Sequence, residues 1–207
     1  MKRVGVLMVA LLMPLGGCAE DSPYGEFGPS SSAPAPAATF DADVTVSGTE
    51  VQVSYRFAND GDEPLMLINR PGLPAGAGIR YREEAAYVTE DANGGALLSQ
   101  AIFGFPDTDQ TWESIPRVGV TEVPAGGVVE VEVTSVLPLT WFHPFGSDLG
   151  TGPMSIPSDV DEVRFCLGVV SSPVPESTTP RTEEDGTRTI GHASAAQHLF
   201  CSTPEAL

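Results

Sequence analysis

The stretch VQVSYRFA, residues 51–58, decides the fold class of this chain. Its apolar and polar side chains alternate strictly, with Val51, Val53, Tyr55 and Phe57 set against Gln52, Ser54 and Arg56. A period of two places each set on one face of an extended strand. The stretch therefore predicts a β-strand with one face in a core and the other in water.

The same alternation recurs along the chain, for example in VVEVEVT (128–134) and EVRFCLGVV (162–170). Strands are predicted at residues 42–47, 50–58, 64–69, 85–90, 96–103, 117–123, 128–136, 161–170 and 196–202. Nineteen prolines and 22 glycines, many of them in turns between these segments, leave little room for helices. Short strands joined by such turns favour an all-β domain, an antiparallel, immunoglobulin-like sandwich of about seven to nine strands.

The N-terminus has the organisation of an export signal. Lys2 and Arg3 precede the apolar run 4–15, which as a helix would rise about 18 Å, short of a roughly 30 Å hydrocarbon layer. The run ends in Leu15-Gly16-Gly17-Cys18, which resembles the lipobox of bacterial lipoproteins. The resemblance implies that residues 1–17 are a signal peptide removed before Cys18, and that the Cys18 thiol carries a lipid. A plain secretory signal and an uncleaved anchor are the alternatives.

The residues after Cys18 bear on where the protein resides. In Gram-negative lipoproteins, Asp directly after the lipidated cysteine tends to mark retention in the inner membrane. By that resemblance, Ala19 favours the outer membrane. Residues 18–39 are rich in Ser, Pro and Ala, which predicts a flexible tether between the lipid and a domain at 40–207.

The chain is strongly acidic, with a formal net charge of −18. Removal of Lys2 and Arg3 with the signal peptide would give −18 − 2 = −20. Such a surface repels phosphate backbones, so nucleic acid is not expected as a partner. It also repels anionic headgroups, which suits a domain that a tether holds away from the bilayer.

Cys166 and Cys201 are the cysteines that remain beyond Cys18. In an oxidising compartment two such thiols normally form a disulfide. Cys166 has the opposite parity from Phe165 and Leu167, so the bond is expected to join neighbouring strands near a sheet edge and to fix the last strand.

Aromatic residues in two predicted loops are candidates for a binding surface. They are Trp112, in DQTWES, and Trp141, Phe142, His143 and Phe145, in TWFHPF. Exposed rings could bind an envelope protein, a peptide or a glycan. The same rings could instead fill the open end of the sandwich.

Catalytic and metal-binding patterns are weak. The sequence has no G-x-S-x-G, H-E-x-x-H or P-loop motif, and His192 and His198 would lie about 20 Å apart along a strand. Acidic clusters could bind calcium, but none has a full EF-hand spacing; they lie at Asp91–Gly95, Asp107–Asp109, Asp159–Glu162 and Glu183–Asp185. We therefore predict no catalytic residue, no metal site and no cofactor besides the lipid on Cys18.

The function expected from these features is that of a non-catalytic binding or scaffold module, anchored in the cell envelope. Two alternatives remain open. Residues 44–70 resemble the opening of the bacterial intracellular proteinase inhibitor family, which implies an inhibitory loop, and Ser171–Gly186 is the candidate. A hydrolase with an unfamiliar site around His143 is the other alternative.

Overall fold

The computed structural model describes residues 27–76, 78–108, 111–150, 152–192 and 197–207. These residues form an all-β sandwich with one 3-10 turn at Glu176–Thr178, which confirms the predicted fold class. The strands are β1 Ala38–Ser47, β2 Glu50–Asn59, β3 Leu65–Arg70, β4 Gly72–Ala75, β5 Gly78–Tyr81, β6 Tyr87–Glu90, β7 Ala96–Gln100, β8 Arg117–Val123, β9 Val128–Val136, β10 Glu162–Ser171, β11 Arg181–Thr182, β12 Arg188–Gly191, β13 His198–Cys201 and β14 Glu205–Ala206.

The smaller sheet of the sandwich contains β1, β2 and β9 in that order, all antiparallel. Across it, Val53 lies opposite Val44 on one side and Val133 on the other. These valines are buried, while the residues between them along each strand face water. The alternation in residues 51–58 therefore separates side chains that face the core from side chains that face water, as the sequence predicted.

The larger sheet has the order β11-β12-β8-β3-β10-β7-β6, and β13 and β14 also pair with β10. Its β7 and β10 run parallel, with Leu98 opposite Phe165, so the sandwich is mixed rather than purely antiparallel. Parallel neighbours need a long crossover, and here β8 and β9 supply the chain length. The strand count exceeds seven to nine because several strands have only two to four residues, too few for a recognisable alternation.

Two hydrophobic cores lie on opposite faces of the larger sheet. The first fills the space between the sheets, where Phe57 packs with Leu67 and Phe165. The second lies on the outer face, where Met66 and Ile68 of β3 meet residues from irregular segments. We call these segments the loop layer; its buried residues are Ile102, Phe103, Trp141, Phe145, Leu149 and Val174. Because both faces are covered, β3 is apolar at four successive positions, LMLI, instead of alternating.

The segment before β1 lies against the domain, and we call residues 27–37 the N-terminal strap. Gln197 donates from its side-chain amide to the Ser30 carbonyl at 3.0 Å. The backbone carbonyl of Gln197 accepts from the Ser32 and Ala33 amides. Leu199 of β13 donates to the Ser31 hydroxyl at 3.1 Å. The predicted flexible tether over 18–39 is therefore wrong for residues 27–37, because polar groups near the C-terminus satisfy the backbone of the strap.

The disulfide between Cys166 and Cys201 joins β10 to β13, whose two cysteines face each other in the register. The Cys166 side chain points away from the first core, as its parity predicted. The bond fixes β13 to β10. Within the ranges given above, no helix has the length and hydrophobicity needed to cross a membrane.

Candidate functional site

The predicted aromatic surface lies mostly inside the molecule. Trp141 is 8% exposed, and His143 and Phe145 are 4% exposed each. Phe142 is half-buried between the two cores, and its backbone forms a bridge with Val88 of β6. An exposed recognition surface is therefore wrong for Trp141, His143 and Phe145. They cover the outer face of the larger sheet, which is a different place from the open end of the sandwich.

Phe103 lies at the centre of this aromatic cluster. Its ring is 4.7 Å from the His143 ring and 5.9 Å from the His192 ring, both measured between centroids and both edge-to-face. Tyr87 packs on Phe103 in the same way at 5.3 Å. Edge-to-face contacts bring the positive edge of one ring to the negative face of another, which favours this geometry over face-to-face stacking.

His143 is held as a neutral ring. The Phe145 amide donates to Nδ1 at 3.2 Å, so this nitrogen has no proton. The proton of the neutral ring is then on Nε2, which donates to the Phe27 carbonyl at 3.1 Å. Burial lowers the pKa of His143 to about 4, and the bond to the Phe27 carbonyl opposes this shift in part.

His192 has a similar arrangement deeper in the cluster. The Phe103 amide donates to Nδ1 at 3.1 Å, which leaves Nε2 to donate to the Tyr87 hydroxyl at 3.1 Å. Burial lowers the pKa of His192 to about 3, with smaller contributions from His143 and Arg117. Both ring nitrogens of each histidine already have protein partners, so the arrangement is that of structural histidines within a core.

The histidines do not form a ligand set. His192 lies in the aromatic cluster, whereas His198 lies half-buried on β13 with Nδ1 3.2 Å from the Ala33 carbonyl. Across the described part of the chain, no group of three or more His, Cys, Asp or Glu side chains could hold a metal ion.

Two of the acidic clusters contain a carboxylate with structural partners. Asp91 accepts from the Asn93 amide at 2.9 Å and forms an ion pair with Arg164. Glu183 accepts from the Thr189 hydroxyl at 2.6 Å and lies 3.5 Å from Arg117. Asp107 and Asp159 are exposed, and Asp109 lies outside the described residues.

The connection Ser171–Gly186, the candidate inhibitory loop, packs on the larger sheet. Val174 and Thr178 are buried, and β11 within it pairs with β12. Arg117 of β8 donates to the Thr179 carbonyl at 2.8 Å and to the Thr189 carbonyl at 2.9 Å. These bonds hold the segment against the larger sheet. Val174 and Thr178 attach the segment to the sheet, while most of its other residues are exposed.

An open groove of about 490 Å³ lies on the outer face of the smaller sheet. Two cross-strand rows form its floor, Asp41–Arg56–Glu130 and Asp43–Ser54–Glu132. Arg56 lies 3.5 Å from Glu130, and both side chains are about half exposed or more, so this ion pair contributes little to stability. The surplus of carboxylates makes this face acidic.

Two buried amides that the sequence analysis missed organise the chain. Asn59, at the end of β2, donates to the Glu63 and Val123 carbonyls and accepts from the Gly61 amide. Gln197 joins Ser30 to Ile102, accepting from the Ile102 amide at 3.0 Å and donating to its carbonyl at 2.7 Å. The turn sequence NDGD could have indicated the role of Asn59; nothing around Gln197 indicates its role.

The remaining predicted residues have mixed positions. Trp112 is half-buried, and its ring lies 5.0 Å from that of Phe145. Cys18 and the motif that ends in it lie outside the described residues. No protein-family model, no curated protein and no solved structure matches this chain. Its class is therefore defined by its own features, a mixed β-sandwich whose larger sheet carries an outer layer of aromatic loops.

Proposed function

We propose that this protein is a lipid-anchored lipoprotein of the cell envelope, and that its β-sandwich is a non-catalytic binding or scaffold module. The observation that carries the proposal is the sequence Leu15-Gly16-Gly17-Cys18 at the end of a short apolar run with a basic start. Ala19 favours the outer membrane of a host with two membranes.

The strap supports a close association between the domain and the membrane. Phe27 is hydrogen-bonded to His143 and lies 27 − 18 = 9 positions after Cys18. Nine residues span at most about 30 Å when fully extended. An acyl group on Cys18 would thus hold the domain near the bilayer rather than far from it.

The two outer faces of the sandwich differ in chemistry. Phe27 packs on Trp141 in the loop layer, while the acidic groove lies on the far face of the smaller sheet. Both cores and the larger sheet separate the two. An acyl group on Cys18 would keep Phe27 within about 30 Å of the bilayer, while the groove lies on the opposite outer face of the sandwich, where an envelope protein can reach it.

The acylation part of the proposal is tested by metabolic labelling with an alkyne analogue of palmitate. The native chain should incorporate the label and sediment with membranes, and Cys18→Ser should do neither. A Cys166→Ser/Cys201→Ser double variant is the matched control, since it removes two thiols and keeps Cys18. Equal labelling of native protein and Cys18→Ser, or no labelling of either, would refute the anchor.

The binding part is tested by crosslinking the acylated protein in its own membranes, followed by affinity capture. A binding module should recover one envelope protein reproducibly, and Glu130→Gln/Glu132→Gln maps the contribution of the groove. Glu184→Gln/Glu205→Gln removes two charges from other exposed positions as the control. Recovery of no specific protein, at native expression levels, would contradict the binding role.

A further inference from the structure

Three partly exposed aromatic side chains pack on buried rings of the loop layer, and we call them the rim. Phe105 is 48% exposed, and Phe27 and Trp112 are half-buried. Each packs on a buried ring: Phe27 on Trp141 at 6.5 Å, Trp112 on Phe145 at 5.0 Å and Phe105 on Phe145 at 5.3 Å. The inner ring fixes each position, so these rings present apolar surface without rotating freely.

The rim includes the residue of the strap that is nearest to Cys18 in sequence. Phe27 lies nine positions after Cys18, and its carbonyl accepts a hydrogen bond from His143 at 3.1 Å. If Cys18 is acylated, the segment that links it to Phe27 spans at most about 30 Å. The rim is then held within about 30 Å of the bilayer, close enough to reach it.

We propose that Phe27, Phe105 and Trp112 form a membrane-facing rim that rests in the headgroup region of the bilayer. Trp favours this region because its ring is buried against acyl chains while its N–H stays hydrated, and Phe side chains beside it add apolar contact area. The inference rests on the lipid anchor proposed above. It adds that the domain contacts the membrane through a defined surface.

The charges around the rim determine how deeply the rim enters the bilayer and which headgroups it prefers. Asp107 and Glu113 are exposed in the same segment as Phe105 and Trp112. Carboxylates are costly to place among acyl chains and are repelled by anionic headgroups. The rim therefore rests at a shallow depth and prefers zwitterionic lipids.

The test uses the full acylated protein in phosphatidylcholine vesicles whose acyl chains carry bromine close to the headgroup. The chain has two tryptophans, so Trp112 reports on the rim and buried Trp141 serves as the internal reference. Brominated lipid should quench the Trp112 emission. In Trp112→Phe, bromine should quench the remaining emission, from buried Trp141, much less than it quenches the native protein, at an unchanged melting temperature. Phe105→Ser should weaken the quenching while the protein still floats with the vesicles.

The outcomes separate the two proposals. A protein that does not float with vesicles refutes the anchor, and the rim with it. A protein that floats but shows no loss of Trp112 emission overturns the rim alone. If Trp112 is shielded from aqueous acrylamide in native membranes but not in vesicles, a protein occupies the rim and the lipid assignment is wrong. Stronger quenching in anionic than in zwitterionic vesicles would overturn the predicted lipid preference.

Discussion

His143 and His192 are neutral in the folded protein because each donates through Nε2 and accepts a backbone amide at Nδ1 inside an aromatic cluster. A second proton on either ring would break its bond with that amide and place a charge among apolar rings. Burial therefore lowers both pKa values below the ordinary value of 6.5, to about 4 and about 3 respectively.

We expect these two histidines to make the protein less stable in acid. The unfolded chain binds protons at these sites more readily than the folded one, so their full contribution is present above about pH 6.5 and is lost progressively as the pH falls toward 4 and below. Each can account for up to about 1.4 kcal/mol of unfolding free energy per pH unit. Urea denaturation from pH 7.5 to 4.5 measures this.

The variants that check this prediction are His143→Gln and His192→Gln, with His198→Gln as the control for loss of a histidine outside the cluster. Carboxylates titrate in the same range, but they cancel in the difference between native and variant protein. That difference should shrink as the pH falls for the two cluster variants. A constant difference would show that the buried rings do not resist protonation.

Asn59 should be the most sensitive polar residue of the β2–β3 turn. Its side chain makes three hydrogen bonds to backbone groups on both sides of that turn and on β8. Asn59→Ala leaves the Glu63 and Val123 carbonyls without this donor and should cost about 2–3 kcal/mol of unfolding free energy. Asn59→Asp retains only the acceptor for the Gly61 amide. An equal loss in both variants identifies the two donated bonds as the stabilising ones, whereas a loss below about 0.5 kcal/mol in Asn59→Ala would contradict the assignment.

At the scale of elements, the long strands of the smaller sheet could be predicted because one of their faces is wet. The predicted strands 50–58 and 128–136 nearly coincide with β2 and β9. The loop layer could not be predicted, because no period marks segments without regular structure. Trp141 and His143 are chemically suited both to an interior and to a surface, and their surroundings come from Phe27 and Phe103, far away in sequence.

The disulfide should contribute strongly through β13. Cys166 and Cys201 are 35 positions apart, and closing such a loop in the unfolded chain is worth about 3–4 kcal/mol in the chain-entropy model. A Cys166→Ala/Cys201→Ala double variant should therefore lose about this much unfolding free energy in urea denaturation. Native protein kept reduced should lose a similar amount. If the reduced protein is as stable as the oxidised one, the bond is not what fixes β13.

The strap should open selectively when Gln197 is shortened. Gln197→Ala removes the side-chain bonds to Ser30 and Ile102, so residues 30–33 lose one side of their attachment. Hydrogen exchange at the Ser32 and Ala33 amides should accelerate by at least about tenfold. Gln52→Ala, on the exposed face of β2, is the matched control and should leave these amides protected. Equal protection in both variants would show that the side chain of Gln197 does not retain the strap.

At the scale of the whole molecule, 28 acidic residues against ten Lys and Arg dominate the electrostatics. Repulsion among them opposes the compact state and is screened by salt, most effectively at the exposed acidic groove. The melting temperature should therefore rise between about 0.01 and 0.15 M NaCl. Glu130→Gln/Glu132→Gln should show a smaller rise. A melting temperature that falls with salt would mean that the exposed ion pairs outweigh the repulsion.

The attachment of the strap also determines when, during synthesis of the chain, residues 30–33 can form their hydrogen bonds. Gln197 and the Ser30 carbonyl that it binds are 167 positions apart. Residues 30–33 are synthesised well before their partners at 197–199, so the strap cannot form these bonds until the later segment is available. A nascent chain stalled before residue 197 contains β1, β2 and β9 as well as His143, the partner of Phe27, but it lacks the groups that bind residues 30–33.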